Sequence, residues 1–256
     1  MIKLAAFDVD GTLRDRDYLP ASTKQALHKL KEHGVQLALC TGRSEYEMAS
    51  LYKELEIDWA ITCNGSHIGH RGTTVFGSAF DPETVKRWLR EADRAGHAAL
   101  LYGSELMYTN QENAPWFLQA QKEIGFMEPV LLPSLEKVPA IYQCILFCTE
   151  QEESAYTSGE HEPLYVHRWR DWAVDLNPSG MNKAVGLRRL LDHLGIPIEQ
   201  AAAFGDGIND MEMMEAAGLG IAMGNAADEL KSKARYVTRS LHEDGIAYAV
   251  DQWILR

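Results

Sequence analysis

Basic runs, long apolar runs and cysteine clusters are all missing from this 256-residue chain. The lack of a Lys/Arg run and a formal net charge of −12 argue against a surface for nucleic acid or an acidic membrane. No apolar run reaches the roughly 20 residues that span a bilayer. Met1-Ile2-Lys3-Leu4 enters a strand at once. That leaves no room for a signal peptide, so a cytoplasmic protein is expected. The four cysteines, Cys40, Cys63, Cys144 and Cys148, sit in or beside apolar segments. They read as small buried hydrophobes in a reducing compartment, since none has the close partners of a metal-thiolate site. Repeats and low-complexity tracts are absent. There is no Walker-type loop and no Gly-x-Ser-x-Gly elbow. Gly218-Leu219-Gly220 precedes a strand instead of following one, which removes a dinucleotide fingerprint.

What is present is an ordinary globular composition, 46% hydrophobic and 24% charged, long enough for one large domain or two modest ones. Buried strands are expected at 3–8, 35–41 and 59–62, helices at 20–32 and 44–54, and a β-hairpin over 67–77 around Arg71-Gly72. The pattern changes at Asp81-Pro82. A helix runs to Gly96, followed by strands at 98–103 and 106–109, a helix at 114–123 and a strand at 141–149. A polar helix near 150–158 and strands at 163–168 and 172–176 complete this stretch. Strand–helix alternation resumes at Lys183. Its helix runs to His193, and strands at 201–205, 219–223 and 235–238 alternate with helices from Asn209, over 226–232 and over 244–254. The expected fold is α/β: a Rossmann-like, doubly wound parallel-sheet core formed by 1–81 and 180–256, with an inserted α+β domain over 82–179.

The chemistry gathers at strand ends. Leu4-Ala5-Ala6-Phe7 runs into Asp8-Val9-Asp10-Gly11-Thr12, and Phe204-Gly205 runs into Asp206-Gly207-Ile208-Asn209-Asp210. Carboxylates at the carboxyl ends of buried strands collect where an open α/β sheet places its site. They suit a hard cation such as Mg²⁺, which is often bound together with phosphate oxygens. Asp8 can attack phosphorus as a nucleophile, and Asp10 can serve as acid and then base. Read singly, each acidic turn could be only a turn or a helix cap; the pattern occurs twice. Thr41-Gly42, after another strand, offers a hydroxyl and a backbone N–H as a phosphate cradle, and Thr41 could also cap the helix that follows. Arg43 reads either as a substrate contact or as a surface arginine. Lys183 opens a helix, where a cation opposes the macrodipole, and pairing with a phosphate and Asp8 would explain it. His67 and His70 have metal-like spacing but sit on a hairpin, where solvent is the expected surrounding. His167-Arg168-Trp169-Arg170-Asp171-Trp172 reads either as pocket lining or as a plain hairpin.

Taken together, Asp8-Val9-Asp10-Gly11-Thr12, Thr41-Gly42-Arg43, Lys183 and Gly205-Asp206-Gly207-Ile208-Asn209-Asp210 resemble the four motifs of the haloacid dehalogenase (HAD) superfamily. Thr62-Cys63-Asn64-Gly65, Ala222-Met223-Gly224-Asn225-Ala226 and Asp244-Gly245-Ile246-Ala247 resemble its Cof-type phosphatase branch. The resemblance implies that Asp8 is the nucleophile and Asp10 the acid/base. It implies Mg²⁺ held by the Asp8 carboxylate, the Asp10 carbonyl and Asp206, with Asp210 in support. Thr41, Gly42, Lys183 and Asn209 would bind the phosphoryl group. The inserted domain would be a cap that sets specificity, with Arg43 and Asn64 as further substrate contacts. The expected activity is Mg²⁺-dependent hydrolysis of small-molecule phosphate monoesters, by a monomer or small homo-oligomer. A phosphomutase or phosphotransferase shares the first step, and a non-catalytic phosphometabolite sensor is the rival from another class. The intact Asp8/Asp10 pair counts against the sensor.

Overall fold

All four residues of Leu4-Ala5-Ala6-Phe7 are buried, and they form strand β1 (Leu4–Phe7). An unbroken apolar run of this kind suits a strand covered on both faces. In the computed structural model, which describes residues 1–158 and 164–256, β1 lies inside an eight-stranded sheet. The chain continues through α1 (Ala21–Glu32), β2 (Gln36–Cys40), α2 (Glu45–Leu55), β3 (Trp59–Thr62), β4 (His67–His70) and β5 (Thr73–Gly77). It returns to this sheet after the insertion as α6 (Lys183–Leu194), β12 (Ala201–Gly205), α7 (Met211–Ala216), β13 (Leu219–Ala222), α8 (Asp228–Lys233), β14 (Tyr236–Val237) and α9 (Gly245–Ala249). The strand order is β14-β13-β12-β1-β2-β3-β4-β5. Strands β14 to β3 are parallel, and β4 and β5 add an antiparallel edge.

Period-two alternation sorts β1 between two cores. Ala5 and Phe7 pack with Leu27 and Leu30 of α1, Met48 and Leu51 of α2, and Ile246 of α9. Leu4 and Ala6 pack with Leu187 and Leu190 of α6, Met213 of α7 and Leu230 of α8. Phe7 also stacks on Phe204 of the neighbouring strand at 4.8 Å between ring centroids. The chain winds one way from β1 to β2 and the other way from β1 to β12. The strand order therefore reverses at β1, and the crevice above its carboxyl end is where such sheets bind ligands.

The insertion forms a second sheet. Its elements are α3 (Pro82–Ala95), β6 (Ala98–Tyr102), β7 (Met107–Thr109), α4 (Pro115–Ile124), β8 (Val130–Leu131), β9 (Gln143–Phe147), α5 (Glu150–Thr157), β10 (Tyr165–Arg170) and β11 (Ala173–Asn177). The strand order is β10-β11-β9-β6-β7-β8, antiparallel except for the short β7–β8 pair. One face carries Cys144 and Leu146 against Val85, Trp88 and Leu89 of α3 and Tyr156 of α5. The other carries Leu100, Tyr102 and Ile145 and turns toward the crevice of the first sheet. The fold is the expected α/β core with an inserted α+β cap.

Some local expectations change. His67 is 1% exposed, not solvated. Its ring nitrogens lie 2.9 Å from both Thr62 Oγ1 and Thr74 Oγ1, and burial pushes its pKa down to about 4. Two hydroxyls and, at 3.7 Å, the buried Glu45 carboxylate surround the ring, which makes it a packing residue of the core. Strand β8 has only two residues and carried no periodic signal. The closing helix becomes α9 followed by a π-turn over Val250–Ile254. Residue 163 of the strand expected at 163–168 lies outside the described residues. All four cysteines are free and buried.

After β3 the chain turns through Asn64 (φ 50°) and Gly65 (φ 94°). A Cβ on Gly65 would stand 2.1 Å from the Asn182 carbonyl, so this glycine lets α6 dock against the turn. Gly72 in the hairpin also has positive φ, 81°, but a Cβ there meets nothing within 4 Å. Gly72→Ala should cost about 1 kcal/mol of left-handed strain. Gly65→Ala adds a collision with backbone to the same strain, so its loss of melting temperature should be at least twice as large. Equal losses for the two variants would show that the close approach of α6 does not constrain the turn.

Candidate active site

Three adjacent strand ends build the site. Asp8 follows β1 and is tied in by its N–H to the Phe204 carbonyl at 2.9 Å. Asp206 follows β12, on one side of β1, and Thr41 follows β2, on the other. Gly11 (φ 84°) closes the first acidic turn against the second: a Cβ there would lie 2.2 Å from Asp206 Oδ2. The Thr12 hydroxyl donates to Asp206 Oδ1 at 2.8 Å.

Lys183, wholly buried at the start of α6, donates to Asp8 Oδ1 at 2.7 Å and to Asp210 Oδ1 at 2.6 Å. Those carboxylates explain a cation at a helix N-terminus. The remaining Asp210 oxygen accepts the N–H groups of Asp206 and Gly207, both at 3.0 Å. Asp210 therefore acts as a brace between the lysine and the acidic turn. Burial, then the neighbouring Asp210 and Asp206, raise the Asp8 carboxyl, with Lys183 opposing them. Lys183 itself is driven up by Asp210 and Asp8 against its own burial.

Oxygens of Asp8, Asp206 and Asp210 all lie within 4.8 Å of one another. Three carboxylates against one ammonium leave an excess of negative charge, and their oxygens are the hard donors that Mg²⁺ takes. The backbone bonds of the first turn run from Gly11 N–H to the Arg14 carbonyl and from Leu13 and Arg14 N–H to the Val9 carbonyl. None of them uses the Asp10 carbonyl. The residues present fit a divalent cation.

The Asp10 side chain points elsewhere. Arg43 Nε and Nη2 grip its two oxygens at 2.6 and 2.9 Å. Arg43 also donates to Glu47 at 3.3 Å and to the Ile124 carbonyl of the cap at 2.8 Å. It is not a surface arginine: it is buried with its fork engaged, and it also borders the pocket. Thr41 does not cap α2; Ser44 does, in a capping box with Glu47. Thr41 Oγ1 instead accepts from the Arg43 N–H at 3.1 Å, and as acceptor there it keeps its own O–H to donate.

Asn64 also departs from expectation. It is 1% exposed and sits behind the pocket lining. Its Oδ1 accepts from Asn209 at 3.0 Å, while its Nδ2 donates to Gln143 at 3.0 Å and to Asp175 at 3.2 Å. It orients residues that face the pocket. The pocket, about 340 Å³, is bounded on the core side by Asp8, Asp10, Thr41, Gly42, Asp206 and Asn209. Cap residues Tyr102, Phe126, Ile145, His167, Trp169 and Asp175 close the other side. Of the aromatic-basic stretch, His167, Trp169 and Arg170 line the pocket and also belong to the cap hairpin.

Fold and site together define a class: a doubly wound α/β enzyme whose buried carboxylates work beneath an inserted cap. A family profile described as haloacid dehalogenase-like hydrolase matches residues 5–250; the chain belongs to this superfamily, in its Cof-type phosphatase branch. It is 31% identical over 266 residues to the HMP-PP phosphatase of Yersinia enterocolitica, covering 99% of this chain and 96% of that one. It is 27% identical over 266 residues to the 5-amino-6-(5-phospho-D-ribitylamino)uracil phosphatase YcsE of Bacillus subtilis, covering 99% and 96%. The solved HAD subclass IIB sugar phosphatase BT4131 superposes with a TM-score of 0.83 at 28% identity, covering 98% of each chain. The protein is a phosphatase of this superfamily.

Burial first, then Asp210, pushes the Asp206 carboxyl from 3.8 up to about 6. A folded-state pKa above the unfolded value means that the folded protein holds this proton more tightly. The contribution to stability is present below about pH 4 and is lost as pH rises through about 6. Metal-free protein should therefore gain stability from this group on acidification across that window. Asp206→Asn should remove that gain, leave the metal-free melting temperature near neutrality unchanged or higher, and abolish the rise produced by millimolar Mg²⁺. Thermal melts with and without Mg²⁺ check this; an undiminished Mg²⁺ shift in the variant would take Asp206 out of the metal site.

Proposed function

We propose that the protein hydrolyses small-molecule phosphate monoesters with Mg²⁺, through an aspartyl-phosphate on Asp8. The observation that carries this reading is the Asp8 carboxylate itself. It is fixed at the end of β1 by buried Lys183, beside Asp206, and faces a pocket large enough for a small ester. In this reading residues 1–81 and 180–256 do the chemistry, and the cap at 82–179 selects the leaving group.

Asp8 attacks phosphorus, and the bond to the leaving oxygen breaks as that oxygen takes a proton from Asp10. Asp10 then withdraws a proton from the water that attacks phosphorus and frees Asp8. With both Asp10 oxygens held by Arg43, each transfer requires Asp10 to release at least one of those bonds. The Thr41 hydroxyl, the Gly42 N–H, Lys183 and the Asn209 amide receive the phosphoryl oxygens. The Asp8 and Asp206 carboxylates and the Asp10 carbonyl would hold Mg²⁺, with Asp210 as brace. The ion would supply positive charge that favours the ionised carboxylates and the phosphoryl group between them. Lys183 supports the same charge distribution from behind. The named phosphatases among its relatives favour water as the final acceptor.

Asp8→Asn keeps the shape but loses the nucleophile, so kcat for p-nitrophenyl phosphate should fall by roughly three orders of magnitude or more, with the melt preserved. Chelation should abolish wild-type turnover and Mg²⁺ restore it. Activity of the variant within tenfold of wild type would remove the covalent route.

Two in-line displacements at phosphorus predict net retention of configuration with a chiral phosphate ester. Inversion would mean direct attack by water and would reduce Asp8 to a metal ligand.

A further inference from the structure

The inner face of the cap sheet presents a patterned surface to the pocket. Across the strands, His167, Asp175, Ile145 and Leu100 stand in register as one row, and Gln143 pairs with Tyr102 in the next. Tyr102 and Asp175 lie on strands flanking β9 on its two sides. Two strand spacings across and a two-residue step along the strands place their backbones about 12 Å apart, with Ile145 and Gln143 of β9 between them.

Tyr102 is 1% exposed and lines the pocket, yet its hydroxyl has no hydrogen-bond partner among the described residues. That hydroxyl opens onto the pocket, where it is available to a polar atom of a bound ester. Asp175 is buried too. Its Oδ1 accepts from Trp169 Nε1 at 2.7 Å and its Oδ2 from Asn64 at 3.2 Å. A carboxylate offers about four acceptor sites, so each oxygen retains one. Gln143, by contrast, is engaged at both ends, by Asn64 and by the Gly42 carbonyl.

Arg170 is the cation on the cap side of the pocket; it is half-exposed, lies 3.5 Å from Glu123 and donates to the Trp169 carbonyl at 2.9 Å. Burial lowers the pKa of His167, favouring its neutral form, and raises the Asp175 carboxyl to about 7.

Building on the phosphatase reading, we propose that Tyr102 and Asp175 are the specificity-determining pair for the leaving group. The substrate is then the phosphate monoester of a ring compound that carries an O–H or N–H donor. The ring lies over Ile145 beside Trp169 and Phe126, its donor bonds Asp175, and the Tyr102 hydroxyl bonds a second polar atom.

The test is phosphate release by wild-type protein with Mg²⁺ from p-nitrophenyl phosphate, pyridoxal phosphate, a hexose monophosphate and glycerol phosphate. At least one donor-bearing ring monophosphate should exceed glycerol phosphate by about tenfold in kcat/KM. Tyr102→Phe and Asp175→Asn should each lower the ratio of that ester to p-nitrophenyl phosphate, a ring without a donor, by about tenfold, mainly through KM. Should Asp175→Asn melt early through its bonds to Trp169 and Asn64, Tyr102→Phe decides, since its hydroxyl has no partner to lose. No hydrolysis of p-nitrophenyl phosphate by wild type would sink the phosphatase reading and this assignment with it. Normal hydrolysis of that ester overturns the pair alone if the panel shows no ring preference, or if both variants leave the ratio within twofold.

Discussion

The ammonium of Lys183 between Asp8 and Asp210 is the interaction on which the rest of the site depends. All three groups are buried or nearly so, and their bonds join three separate parts of the chain: the end of β1, the turn after β12 and the start of α6. Breaking a buried ion pair by removing one partner costs about 3–5 kcal/mol in other proteins, because the abandoned charge has no water to turn to. Here the loss of the lysine would abandon two carboxylates at once. The pair is therefore both structural and chemical. It holds the Asp8 carboxylate in one position, and it offsets part of the negative charge that burial would otherwise drive toward protonation.

A second layer ties that fixed centre to the cap. Arg43 bridges Asp10 to the C-terminal carbonyls of α4, and buried Glu47, which also caps α2 through Ser44, steadies it from behind. Asn64 bridges Asn209 of the core to Gln143 and Asp175 of the cap. Both bridges start from loops beside the strand ends and finish on the inner face of the inserted unit. The position of the cap is thus communicated to Asp10 through one bridge and to Asn209 through the other. The core can keep the same phosphoryl chemistry while the rest of the cap face changes, because only the bridging atoms, two of them backbone carbonyls, must stay in place.

The core was legible in the sequence because parallel strands buried on both faces are near-continuous apolar runs. β1, β2, β3 and β12 stand within a residue or so of their expected limits, and their ends carried the acidic pairs. What sequence could not show depends on long-range pairing. His67 alternates with its neighbours like an edge residue, yet Thr62 and Thr74 enclose it from both sides. Asn64 lies beside the motifs and resembles a ligand contact, but a left-handed turn folds its amide inward to serve the cap. Ser44 rather than Thr41 caps α2, a choice made by Glu47 three residues later, as a capping box requires. Tyr102 and Asp175 are separated by 73 positions and have no motif in common. Only the register through β9 brings them to one pocket. The single available hint for Asp175 was a charged residue within an otherwise apolar strand, Ala173-Val174-Asp175-Leu176.

Charge explains why the site is built from so many short-range contacts. With a net charge of −12, the protein's overall field opposes the approach of a phosphate ester, and solution ions screen that field beyond about 10 Å. Attraction must therefore arise within the pocket. There, Arg43 is bound to Asp10 and Arg170 pairs with Glu123. In the proposed reading, the groups left for phosphoryl oxygens would be the neutral donors Thr41, Gly42 and Asn209, the ammonium of Lys183 from behind, and a cation held by carboxylates. Neutral donors fixed by backbone and amide bonds need no reorganisation as charge shifts during phosphoryl transfer. A site that relied on mobile lysines would bind phosphate from farther away but would hold it less rigidly. The acidic surface and the preorganised donor set are two sides of one arrangement, in which recognition is deferred until the ester is already inside.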